Sequence, residues 1–136
     1  MNRFITSHIL IIFVFFITPT QVFATTSELP ECVVITHCVR ENFEVKDLNN
    51  AFKKATKIVS ETTRTKIVEK SDSYIHAEAK TKWRRYTDDL LIKAIPERGV
   101  IQVRSESRVG IGDNGVNQRR VDDFAYRLMS EPDFPS

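Results

Sequence analysis

Between Tyr74 and Trp83 the side chains alternate strictly, with Ile75, Ala77, Ala79, Thr81 and Trp83 set against Tyr74, His76, Glu78, Lys80 and Lys82. A period of two sends successive side chains to opposite faces of a strand, so the run predicts a strand with one face against helices and the other toward water. It also predicts a core Trp83 at the strand's end. Asp88–Ile95 and Val100–Ser107 read as further strands, joined through Pro96-Glu97-Arg98-Gly99, whose Pro and Gly suit a tight hairpin. Thr65–Glu69, ahead of Ser71-Asp72-Ser73, reads as another. Val33–Val39 is a short β-branched run that suits either a first strand or an extended loop closed by a disulfide.

Helical spacing brackets the strands. Asp47 sits at an N-cap position before Leu48, Ala51, Phe52, Ala55, Ile58 and Val59, an apolar stripe that predicts a helix over 47–61. Lys53, Lys54 and Lys57 fall on its other side, as a solvated face requires. Near the C-terminus Asn117 is placed to cap a helix through Val121, Phe124, Ala125 and Leu128, ended by Pro132. The expected fold is α+β: a curved antiparallel sheet of four to five strands with two amphipathic helices, in the order helix, four strands, helix. Glu78, Lys80, Lys82, Gln102, Arg104 and Glu106 are expected on the outward face, where their mixed signs allow cross-strand pairing.

With 41% hydrophobic and 28% charged residues, the chain reads as one globular domain rather than a disordered, collagenous or multidomain one. Part of the apolar total lies outside the core, because five of the nine Phe fall within residues 1–24. That segment has a basic start at Arg3, an apolar run from Ile9 to Ile17 and Val22-Phe23-Ala24 before Thr25, which predicts a secretory signal cleaved after Ala24. The apolar run is too short for a stable membrane anchor, and Pro19 interrupts the chain just beyond it. The expected organisation is leader 1–24, polar linker 25–31, a single domain over 32–130 and a short tail 131–136. The expected location is therefore periplasmic or secreted.

The formal charge is +2, and removing Arg3, the one charged residue of the leader, leaves +1. So even a balance gives no reason to expect a nucleic-acid partner. An even pair of cysteines in an oxidising compartment favours a Cys32–Cys38 disulfide. The rival, a metal held by Cys32, His37 and Cys38, lacks a fourth ligand, since His76 lies far off on a predicted strand. No metal and no cofactor are expected.

The stretch from Arg104 to Arg120 carries the most chemical information. It holds three of the four glycines, four arginines and the start of a helix, whose free N–H groups and positive dipole end favour an anion. The candidate ligand-binding set is Arg104, Arg108, Gly110, Asp113, Gly115, Asn117 and Arg120. Arg108 and Arg120 would make bidentate contacts, and Gly110, Gly112 and Gly115 would allow close backbone approach. In the alternative, Asp113 and Asn117 cap turns and Arg104, Arg108 or Arg120 pairs with Asp88 and Asp89 to tie loop to sheet. Gly110-x-Gly112-x-x-Gly115 matches a dinucleotide fingerprint by letter, but without the βαβ unit that gives the fingerprint its function.

Catalysis has thinner support. Asp88 and Asp89 are adjacent in a strand and point to opposite faces, so they form no shared-proton pair. Ser105, Ser107 and His76 are present without a nucleophile elbow or metalloprotease helix, and His76 on an alternating strand suits a half-exposed sheet position. Trp83 and Tyr86 beside Arg84 and Arg85 could stack on cations or meet lipid headgroups.

Ile75-His76-Ala77-Glu78, the step from Trp83 to Asp88-Asp89, Arg104-Ser105-x-Ser107-Arg108-Val109-Gly110, Asp113-x-Gly115-x-Asn117 and Arg120-Val121 together resemble domain-of-unknown-function family 1499. The likeness runs from about Cys32 to Leu128, and Pro30-Glu31-Cys32-Val33 is similar to the family's Pro-Asn-Cys-Val with Glu31 for Asn. Val34 and Ile35 stand where the family usually has serines, and Cys38 departs from its pattern. The resemblance implies a compact α+β domain of exported or membrane-associated settings, with no established activity.

Three functions fit these residues. The first is a non-enzymatic exported domain that binds a small anion or a lipid headgroup through the Arg108–Arg120 loop. The second is a structural envelope module that docks a protein partner. The third is a hydrolase or isomerase using Asp88 or Asp89 with Arg108.

Overall fold

The computed structural model describes residues 28–130. The expected leader, residues 25–27 of the linker, Pro132 and the tail lie outside the described residues. The elements are β1 (Cys38–Glu44), α1 (Leu48–Glu61), β2 (Thr65–Lys70), β3 (Tyr74–Lys80), β4 (Thr87–Ile95), β5 (Val100–Ser107) and α2 (Val116–Met129). The fold is α+β, an antiparallel five-stranded sheet in the order β1-β5-β4-β3-β2. Strands β2 to β5 form a meander, and α1 carries the chain from β1 at one edge to β2 at the other.

Periodicity accounts for the layers. On β3, Ile75, Ala77 and Ala79 are buried; in register beside them on β4 and β5 come Leu90, Ile92, Val103 and Ile101. This face packs against Phe52, Ala55, Ile58 and Val59 of α1 and Val121, Phe124 and Leu128 of α2. Asp47 caps α1 as its residue type predicts, its carboxylate accepting the Asn50 N–H at 3.0 Å. Gly99 closes the β4–β5 hairpin at φ +62°, a left-handed conformation that glycine enters without a Cβ penalty.

Four expectations are decided or changed. Of the two readings of Val33–Val39, the disulfide-closed loop holds for residues 33–37, and the first strand begins at Cys38. Its ladder is set by a distant partner, with Cys38 opposite Glu106 and Glu44 opposite Val100, and no local pattern encodes that register. Secondly, β3 ends at Lys80, so Trp83 leaves the alternation, sits in the β3–β4 turn and is 86% exposed. Thirdly, α2 starts at Val116 with Gly115 as its N-cap, and Asn117 lies buried inside the first turn instead of capping it.

Finally, Gln102 and Arg104 do lie on the face of the sheet away from the helices, yet both are buried. The chain before β1 crosses them. The Leu29 N–H donates to Gln102 Oε1, Arg40 donates to the Leu29 carbonyl at 2.6 Å, and Gln102 Nε2 donates to Asn42 Oδ1 at 2.8 Å. A buried backbone group needs a partner, and at Leu29 Gln102 meets the N–H and Arg40 the carbonyl.

Candidate functional site

The register brings three loops to one end of the sheet. Lys80 pairs with Thr87 at the β3–β4 turn, Asp88 with Ser107 where β5 ends, and Glu106 with Cys38 where β1 begins. Segments 33–37, 81–86 and 108–115 therefore leave the sheet side by side. The first and third are tied together: His37 Nδ1 meets the Gly110 carbonyl at 2.9 Å, Thr36 Oγ1 donates to the Ile111 carbonyl, and the Asp113 N–H donates to the Thr36 carbonyl at 3.3 Å.

Beneath this end, on the helix side of the sheet, lies a buried polar network. Arg120 donates to Asp88 Oδ2 at 2.8 Å, to Ser105 Oγ at 2.8 Å and to Asn117 Oδ1 at 2.7 Å. Ser105 Oγ also donates to Asn117 Oδ1, and Asn117 Nδ2 donates to Ser107 Oγ and to the His37 carbonyl, each at 2.9 Å. Asp88 is 1% exposed and Asn117 fully buried. A carboxylate taken so far from water requires a paired cation, which Arg120 supplies from α2. Asn117 joins helix, sheet and the 33–37 loop through one side chain.

On the opposite face Arg108 grips Asp89 with two bonds, Nε to Oδ2 at 2.9 Å and Nη2 to Oδ1 at 2.7 Å, and reaches Glu78 at 2.7 Å. His76 Nε2 stands 2.6 Å from Asp89 Oδ1. The hydrogen bonds from Arg108, with a smaller contribution from His76, hold the Asp89 carboxyl below the usual carboxylate range, against the effect of partial burial. The same carboxylates raise the pKa of Arg108. Asp88 and Asp89 thus face opposite ways, as adjacent strand residues must, each with its own arginine.

This pairing predicts a pH effect. A carboxyl whose folded pKa is depressed contributes stability that is complete above its unfolded value of about 3.9 and is lost as pH falls through the folded value. Arg108→Ala should therefore melt earlier than wild type at pH 7, and the gap should close below about pH 4. Melting midpoints from pH 7 to pH 2 test this; a gap unchanged in acid would mean that packing, and not the ion pair, was lost.

The remaining candidates serve the loop itself. Asp113 stands two residues before Gly115, the N-cap of α2, and its carboxylate accepts the Gly115 N–H at 2.9 Å and the Asn117 N–H at 2.7 Å. Burial pushes this carboxyl up, but those N–H bonds outweigh it and leave the pKa lowered. The Gly115, Val116 and Asn117 N–H groups, which would otherwise face an anion at this helix start, are thus engaged by Asp113. Gly110 and Gly115 take positive φ, +94° and +74°, while Gly112 does not. Arg104 pairs with Glu106 at 2.7 Å and reaches the Glu31 carbonyl at 3.5 Å. So the structure joins Asp113, Asn117 and Arg120 in one cluster and puts Arg108 and Arg104 on the other face.

Chemically, the outer cluster is an ion-pair network with a histidine attached. Ser105 and Ser107 lie on the far side of the sheet within the Asn117 network, out of reach of His76. Among the described residues no group of three or more His, Cys, Asp or Glu is arranged to hold a metal, and no helix is long and apolar enough to cross a membrane. What sequence reasoning missed is Asn117 as a hub with the His37 carbonyl as its partner; no local pattern signals it, because its side-chain contacts reach Ser105, Ser107 and, 80 residues away, His37.

Fold and site together define a small α+β domain with a loop-bearing end, braced from below by buried polar contacts. The chain matches the family described as "Protein of unknown function (DUF1499)" over residues 19–128, and it belongs to that family. No curated protein matches it.

Proposed function

We propose that this chain is a non-enzymatic binding domain that docks on anionic lipid headgroups with the loop end of its sheet. The observation that carries the reading is the β3–β4 turn and its approach, where Lys80, Lys82, Arg84 and Arg85 are exposed and none has a carboxylate partner among the described residues. Unpaired cations crowded on one turn favour a surface of negative charge. In this reading Arg108 and Arg120, each held by carboxylates, brace the loop, and the headgroups meet the turn beside it. An export leader over 1–24 would deliver the domain to a membrane-bounded compartment, which fits the same reading.

Co-sedimentation with vesicles tests it. The chain should sediment with phosphatidylcholine vesicles that contain phosphatidylglycerol and stay in solution with phosphatidylcholine alone. Binding should weaken as salt rises, because the Debye length falls from about 30 Å at 0.01 M to about 10 Å at 0.1 M. The triple variant Lys82→Glu, Arg84→Glu, Arg85→Glu should abolish it. A saturable heat with inorganic phosphate that Arg108→Ala removes would instead place a small-anion site at Arg108 and overturn the lipid reading.

A further inference from the structure

The same end of the sheet carries the chain's exposed apolar surface. Among the described residues ten large hydrophobic side chains are exposed, and seven of them lie in segments 33–37, 81–86 and 108–115. Scattered exposure of this kind is ordinary on a folded chain, whereas its concentration on three adjacent loops marks a contact surface. Ile35 and Ile111 are 82% and 92% exposed, and Trp83 is comparably bare.

We infer that this end enters the headgroup–acyl boundary of an anionic bilayer, with Trp83, Ile35 and Ile111 as the apolar wedges. The inference rests on the headgroup reading and adds insertion to it. Tryptophan favours the interfacial zone because its ring is apolar and its N–H polar, and long cationic side chains reach up to the phosphates while their stems stay in apolar surroundings. Binding of such a surface grows with buried apolar area and with attraction to anionic lipid. Lys80, Lys82, Arg84 and Arg85 supply the second contribution. The centre of a protein–protein interface is typically depleted in lysine, so Lys80 and Lys82 beside the bare apolar tips, with Lys82 Nζ 5.3 Å from the Trp83 ring centre, fit a bilayer better than a protein partner.

The loops are also held in place before any contact is made. The Cys32–Cys38 disulfide closes the 33–37 loop, the Thr36 and His37 bonds join it to 110–113, and Asn117 anchors the His37 carbonyl from below. Ile35 and Ile111 therefore sit on two loops fixed to one another, and docking orders little additional chain.

Trp83 is the one tryptophan of the chain, so emission reports that position alone. The full chain is mixed with phosphatidylcholine–phosphatidylglycerol vesicles whose acyl chains are plain or brominated. The expected result is a blue-shifted emission that brominated chains quench. The double variant Ile35→Ser, Ile111→Ser should keep the wild-type melting midpoint, since both side chains are exposed, while partitioning falls roughly tenfold. If the chain sediments with these vesicles while Trp83 emission stays that of the free protein and unquenched, insertion is overturned and the headgroup reading stands. It stands provided that the Lys82→Glu, Arg84→Glu, Arg85→Glu variant no longer sediments; if that variant still does, attachment runs through residues 1–24 and the headgroup reading falls as well. If the chain does not sediment, both readings fall.

Discussion

Arg120→Ala should lower the unfolding free energy by about 3–5 kcal/mol, the cost of leaving a buried carboxylate without its cation. Asp88 is 1% exposed, and Arg120 Nη2 is its guanidinium partner at 2.8 Å. In a domain of this size the loss corresponds to a fall in Tm on the order of 10 °C or more. Thermal unfolding at pH 7 measures it directly. Asp88→Asn in the Arg120→Ala background should recover part of the loss, because neutralising the carboxyl removes the unpaired charge. Arg120→Lys should restore stability only in part: one ammonium group cannot reach Asp88, Ser105 and Asn117 in the planar fork that the guanidinium presents. A Tm for Arg120→Ala within about 2 °C of wild type would show that α2 is not held to β4 by this pair.

The second large effect is at Asn117. Its side chain accepts from Ser105 and Arg120 and donates to Ser107 and the His37 carbonyl. Asn117→Ala removes four hydrogen bonds at once: Ser107 Oγ loses its side-chain partner, while Ser105 and Arg120 keep each other and the His37 carbonyl keeps the Ser107 N–H, so the expected loss is about 2–4 kcal/mol. The effect should have a location as well as a size. Because Asn117 alone joins α2 to the His37 carbonyl, hydrogen exchange should speed up at the Asp113 amide, which bonds the Thr36 carbonyl, before it does so in β4. Uniform acceleration across the sheet would mean that Asn117 contributes to the core as a whole and has no special hold on the 33–37 loop.

These two residues also mark the limit of sequence reading. An Asn two residues after a Gly, ahead of an apolar helical stripe, looks like a cap, and only the position of β5 and the 33–37 loop turns it into a buried hub. Arg108 and Arg120 present the same ambiguity. A loop arginine near a helix start suits an anion or a carboxylate equally well in one dimension. The register Asp88↔Ser107 and Asp89↔Glu106 decides that each arginine has a carboxylate within reach, one on each face of β4.

The element order, the helix face that is buried, the strand limits of β5 and the Asp47 cap were all legible in the sequence, because each depends on contacts within a few residues or on a local period of two or 3.6. The helix over 48–61 and the strand over 100–107 follow their apolar patterns almost to the residue. Tertiary structure decided the rest. β1 exists because β5 offers it a ladder some sixty residues away in the chain, so its start at Cys38 carries no local mark. Trp83 continues an alternation that the strand itself abandons at Lys80, since β3 and β4 part company there and no further strand pair covers the residue. The loop end, with its braced arginines below and bare apolar tips above, arises from three chain segments that only the sheet register places together. Local patterning specifies which residues can form an element; long-range pairing settles which of them meet, and which are left in water.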